Sequence, residues 1–346
     1  MLKMKKNIIF SGMTILLCST ALAQTPKTHY DPKSVTGAGE CARCHTIEAL
    51  AWNKSHHYKT FKNLPVSPEA EAIADKLDIF DITEEAACLQ CHFTLKDEGG
   101  GAKAISGISC ELCHGAGKDW VNIHNDLGEY KDDPSKEPAE HKKARLEKSF
   151  AAGMNPLTGF YDFVSSCYKC HTVPNEELVN VGGHKAGSDF EFIAWSQGEV
   201  RHNFLKDEVV NATRPREHLQ LLYVVGRALD LEYGLRGLAK ATSDDVYAKA
   251  MVTRVQKARN HLVDIIVANP DISKERVEIP ELKTLVDLVP KEFMFNNEDE
   301  YTKLADEVQK TAKSLTTKLQ EIKTELAKVD RLVPLSNKFK GSIFRE

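Results

Sequence analysis

Gly107-Ile108-Ser109-Cys110-Glu111-Leu112-Cys113-His114-Gly115-Ala116-Gly117 holds two cysteines three positions apart with a histidine directly after the second. The same C-x-x-C-H arrangement recurs at Cys41/Cys44/His45, Cys88/Cys91/His92 and Cys167/Cys170/His171, which takes in all the cysteines but Cys18. With 9 Cys and 13 His among 346 residues, chance supplies roughly 0.01 such matches. Two sulfurs at this spacing lie on one turn of helix, where each can form a thioether with a porphyrin vinyl group and the next histidine faces the iron. Disulfides and zinc clusters of paired C-x-x-C units use the same cysteines, but neither explains a histidine after every second cysteine. The reading is therefore four covalently bound haem c groups, attached through Cys41, Cys44, Cys88, Cys91, Cys110, Cys113, Cys167 and Cys170, with His45, His92, His114 and His171 as proximal ligands.

Nine histidines remain for the far side of the irons: His29, His56, His57, His124, His141, His184, His202, His218 and His261. Haems that only shuttle electrons usually close the sixth position with a protein ligand, so about four of these should be ligands. The stretch from Glu48 to Phe61 reads as helix. At about 1.5 Å per residue His57 lies about 18 Å beyond His45, too far to return to the first haem, so it reaches a neighbouring one. His56, about 100° around the helix, is the fallback. After the third motif Gly115-Ala116-Gly117 turns the chain toward His124. Past the fourth motif, Gly182-Gly183-His184 and Gly198-Glu199-Val200-Arg201-His202 offer two more candidates. His141 sits in a charged tract, His218 and His261 on helices remote from any motif, and His29 near the start of the mature chain; none of these four is expected to bind iron.

At this point the pattern resembles the cytochrome c-554 family of tetrahaem proteins over about Gly39 to Phe204. The residues that carry the likeness are Cys41-Ala42-Arg43-Cys44-His45 followed by Trp52 and His57, and Gly107 to Gly117 followed by His124. The resemblance implies that His57 ligates the third haem, His124 the first and His202 the fourth. In some members the second haem has no distal protein ligand, whereas here His184 is available to it. The family pattern says nothing about the C-terminal part of this chain.

The first 23 residues have a basic start (Lys3, Lys5, Lys6), an apolar stretch from Ile8 to Leu22 and small residues Ala21 and Ala23, the pattern of a secretory signal cleaved after Ala23. Polar interruptions leave the apolar run short of a bilayer span. Cys18 would leave with the signal, since Leu17 is too bulky for a lipoprotein site. No other segment approaches a span, so a periplasmic protein without a membrane span after signal removal is expected. The formal charge of −4 becomes more negative once the signal lysines are lost, which excludes nucleic acid as a partner.

The expected fold is mainly α, in three parts. Residues 1–23 are the signal. Residues 24–210 form a tetrahaem cytochrome c domain of short helices and loops around four haems, rich in Gly and Pro, with a loop or small hairpin at Gly99-Gly100-Gly101. Residues 211–346 form a C-terminal helical bundle, with apolar positions three or four apart at Leu219, Leu222, Val225 and Leu229, at Met251, Val255, Ala258, Leu262 and Ile266, and from Tyr301 to Val329. Packing of that bundle on the haem region is the first expectation, and partner binding or self-association through its helices the alternative.

Electron transfer between respiratory redox partner proteins is the leading function, because four haems attached within so short a stretch must lie close together. An oxidoreductase acting on a small nitrogen or sulfur species needs an open iron, for which only the second haem qualifies; no C-x-x-C-K motif marks a lysine-ligated catalytic haem. A haem wire, or a subunit of a larger respiratory complex, is the third reading.

Overall fold

The structure, a computed structural model, describes residues 29–155, 159–187, 190–202, 211–268, 279–321 and 323–343. The proposed signal, its cleavage site and Cys18 lie outside the described residues. The fold is mainly α, with 62% helix against 2% strand.

In the first half each cysteine motif lies at the C-terminal end of a helix. Ala38–Ala42 leads into the first motif, Ala86–His92 ends with the second, Cys110–His114 is the third, and Phe160–His171 ends with the fourth. The stretch read as one helix from Glu48 to Phe61 is two, Thr46–Lys54 and His56–Asn63. Ser55 makes the break. Its backbone is extended, at φ −75° and ψ 160°, and its hydroxyl accepts from the Tyr58 N–H at 3.2 Å, so it stops one helix and caps the next. Between the second and third motifs Thr94–Lys96 pairs antiparallel with Lys103–Ser106, a small hairpin whose connection holds the three glycines.

The second half contains the helices Arg216–Leu238, Val246–Ala268, Pro280–Asp287 and Glu298–Glu321. Beyond them the chain tightens into 3-10 turns over Lys323–Leu332, where the buried Leu326 and Val329 stand three apart, as three residues per turn requires. Arg216–Leu238 is less amphipathic than its apolar spacing predicts. It is buried around nearly its whole circumference, Arg227, Asp230 and Glu232 included. Those charges pair inside the protein: Arg227 reaches Asp230 at 3.1 Å and Glu191 at 2.9 Å, Arg254 reaches Asp230 at 2.5 Å, and Glu232 takes Arg236 at 2.7 Å and the Tyr161 hydroxyl. Buried charges survive only when matched in this way.

One hydrophobic core spans both halves. Tyr161, Val164 and Tyr168 of the fourth-motif helix and Phe190, Phe192 and Ile193 join Leu229, Leu235, Met251, Leu262, Val308 and Leu315 in a single cluster. Among the described residues no helix is long and apolar enough to cross a membrane.

Candidate functional site

Each motif histidine faces one other histidine. Ring centroids lie 6.2 Å apart for His45 and His124, 6.4 Å for His92 and His184, 6.2 Å for His114 and His202 and 6.2 Å for His171 and His57. Two imidazoles bonded to one metal from opposite sides, each at about 2 Å, have centroids about 6 Å apart. The gaps therefore fit a single iron between each pair. Among the described residues no three or more His, Cys, Asp or Glu gather as a protein-only metal cage demands. Histidines in twos leave the remaining coordination positions to a porphyrin, and none of the eight described cysteines is in a disulfide.

The outer nitrogens are held by the backbone. The Nδ1 of His124 lies 2.6 Å from the Val121 carbonyl, that of His202 2.7 Å from the Val200 carbonyl, and that of His184 3.0 Å from the Lys185 carbonyl. A proton donated there fixes the tautomer and leaves Nε2 as the free ligand atom. Burial, then the facing His184, holds the His92 ring down to about 4. Burial followed by His202 does the same to His114, as does burial followed by His57 to His171. Burial also lowers His57 and His124. These rings are neutral near pH 7, the form that binds a metal.

Two of the pairings differ from what the resemblance implies. His57 stands opposite the fourth motif rather than the third, and His202 opposite the third rather than the fourth. The fourth-motif helix explains the exchange. Its start carries Phe163, 5.9 Å from His114, while its end carries His171, which stacks on Phe190 at 4.3 Å and lies 5.8 Å from Trp195. About 12 Å of helix keeps the two sites apart. His57 is fixed at the His171 end by the turn at Ser55 and by its carbonyl, which accepts from the Ile108 N–H at 3.0 Å.

The other histidines are engaged elsewhere. His56 contacts Glu199, His141 contacts Glu137, His218 lies 6.0 Å from Phe160, His261 lies by Tyr223, and His29 contacts the Cys170 thiol. The motifs also touch through their thiols: Cys41 meets Cys110, Cys91 meets Cys170, and Cys113 lies close to Cys167. The motifs are thus neighbours in the order first, third, fourth, second.

Two carboxylates that sequence reasoning passed over organise the site. Glu111, inside the third motif and 2% exposed, accepts from the Thr36 N–H at 2.8 Å, the Thr36 hydroxyl at 3.1 Å, the Gly37 N–H at 2.8 Å and the Gly117 N–H at 2.7 Å. It ties together the segment before the first motif, the third motif and the loop leading to His124. Glu199 does comparable work at His56. The one sequence signal for Glu111 is a carboxylate between two haem cysteines; Glu199 leaves none.

Residues 40–115, which contain the first three motifs, match a family model described as cytochrome c554 and c-prime. A cytochrome c-554 of Nitrosomonas europaea is 25% identical over 195 residues, covering 54% of this chain and 76% of that protein. No solved structure matches.

Proposed function

We propose, from the place of this chain in the cytochrome c-554 family, that it is an exported tetrahaem c-type cytochrome that passes electrons between redox partner proteins in the periplasm. The observation that carries the reading is the set of four facing histidine pairs at 6.2 to 6.4 Å. Under it, the four C-x-x-C pairs would anchor four haem c groups, and His45/His124, His92/His184, His114/His202 and His171/His57 would hold the irons. Haem held by two histidines supplies one-electron chemistry with little rearrangement at the iron. The residues of this chain set that chemistry up. The cysteines fix each group covalently, the Val121, Lys185 and Val200 carbonyls orient the distal rings, and the contacts among motifs keep the four groups adjacent. Export and removal of residues 1–23 suit thioether attachment outside the cytoplasm.

The test is the mass and the spectrum of the secreted protein, matured in a host competent for haem attachment. The reading expects the polypeptide without its first 23 residues plus four haems, and wholly low-spin iron in the oxidised state. A mass with fewer than four haems, or a colourless product, overturns it.

One observation favours the second reading, an oxidoreductase for small nitrogen or sulfur species. His184, the partner of His92, lies on a surface loop, and among the described residues its ring hydrogen-bonds to the carbonyl of the next residue. If the second iron were the working one, the oxidised protein would show a high-spin signal that replacing His184 does not change.

A further inference from the structure

The chain's last described segment returns to the haem half beside His57. The Lys340 N–H donates to the Ala194 carbonyl at 2.9 Å, and the Lys340 carbonyl accepts from the Glu199 N–H at 3.0 Å. Both glycines at this crossing are needed for it. A Cβ on Gly198 would sit 2.0 Å from the Lys340 carbonyl oxygen, and one on Gly341, whose φ is +73°, would sit 2.5 Å from Oε2 of Glu199. The tail therefore lies directly on the Glu199 carboxylate, whose side chain is only 10% exposed. That carboxylate accepts from the His56 N–H at 2.7 Å and has the His56 Nδ1 2.7 Å from both its oxygens. It sits at the N-terminus of the helix His56–Asn63, where negative charge is favoured. The next residue is His57.

We infer that the C-terminal tail and Glu199 form a strap that positions His57 as the distal ligand opposite His171. This rests on the ligand pairs proposed above. Glu199 is a positioning residue: it touches no iron and acts through the backbone of His56. The His57 backbone is held from two sides, by Glu199 at the preceding N–H and by the Ile108 N–H at its own carbonyl. Releasing the first leaves the helix start to the Ser55 cap and the Ile108 bond, and the imidazole loses part of its fixed approach. The segment from Gly198 to His202 extends the effect, since it continues directly to the ligand opposite His114. The exposed partner in the arrangement is the tail, and the buried one is the carboxylate.

The test uses the full-length, haem-loaded protein reduced under carbon monoxide, an external ligand that binds only where a protein ligand lets go. His57→Ala defines the signature of the fourth site when open. Glu199→Ala removes the carboxylate, Gly341→Val forces the tail and the Glu199 carboxylate apart from the tail's side, and Glu199→Gln keeps one acceptor for the His56 N–H. Loss of a charge-assisted hydrogen bond should raise the open population at that site by about tenfold to a hundredfold, and carbon monoxide affinity rises by the same factor. The strap predicts that Glu199→Ala and Gly341→Val both lower the half-saturating carbon monoxide concentration at least tenfold, with the His57→Ala signature, and that Glu199→Gln does so less. Affinities equal to wild type in both Glu199→Ala and Gly341→Val overturn it. If His57→Ala itself leaves binding and spectrum unchanged, the ligand pairing fails instead, and with it the basis of the strap.

Discussion

Replacing Glu111 separates a carboxylate that organises two haem sites from one that merely fills space. Three backbone N–H groups, of Thr36, Gly37 and Gly117, and the Thr36 hydroxyl all point at its two oxygens. A buried donor left without a partner costs about 1–3 kcal/mol. With Gly117 the most enclosed and water able to reach the Thr36 and Gly37 donors in part, Glu111→Ala should cost about 4 kcal/mol. Glu111→Gln is close to isosteric. Its carbonyl can keep the three bonds now made to Oε1, but its amide then faces the Gly37 N–H, donor to donor, so the cost is about 2 kcal/mol. Urea unfolding of the haem-loaded protein, followed by helical signal and haem absorbance together, measures both as midpoint shifts at unchanged slope. The attached haems stay on the unfolded chain and so do not enter as dissociating ligands. An alanine variant within about 1 kcal/mol of wild type, or a glutamine variant as damaging as alanine, would refute the reasoning.

If the proposed four-haem reading holds, His184→Ala should convert one iron in four from low to high spin and open it to carbon monoxide, with the unfolding midpoint nearly unchanged because the ring lies on a surface loop; electron paramagnetic resonance of the oxidised protein reads it. Ser55→Ala removes the cap of the His56–Asn63 helix and should cost about 1 kcal/mol in denaturant unfolding. Arg145, then His141, holds the Glu137 carboxyl down to about 2, and Arg145 also donates to the His124 carbonyl. A depressed carboxylate contributes stability that is present above its unfolded value of about 4.3 and is lost as pH falls from there toward 2. Melting temperatures between pH 5 and 2 should therefore fall less steeply in Glu137→Gln than in wild type.

What the sequence discloses here is what is local. Cysteine spacing within one helical turn marks the attachment points because the chemistry happens inside five residues. The hairpin at Gly99 to Gly101 and the C-terminal helices follow from equally short-range signals. Which histidine faces which motif is a matter of distant contacts. The exchange of His57 and His202 depends on the turn at Ser55 and on the length of the fourth-motif helix, which no spacing within either segment encodes. Glu199 works on His56 across 143 positions, and as a sequence feature it is one acidic residue among 50. Arg216–Leu238 misleads for a related reason. Arg227 and Asp230 are buried there because Glu191 and Arg254, supplied from elsewhere, neutralise them in the interior.

Sharing of the core between the fourth-motif helix and the C-terminal helices constrains how the protein is made. Cys167 packs against that core, and burial raises its thiol, as it raises that of Cys113 in the third motif. Under the haem reading, a porphyrin joined at this position would lie against the same helices that close the C-terminal half, so attachment there should be easier before those helices pack than after.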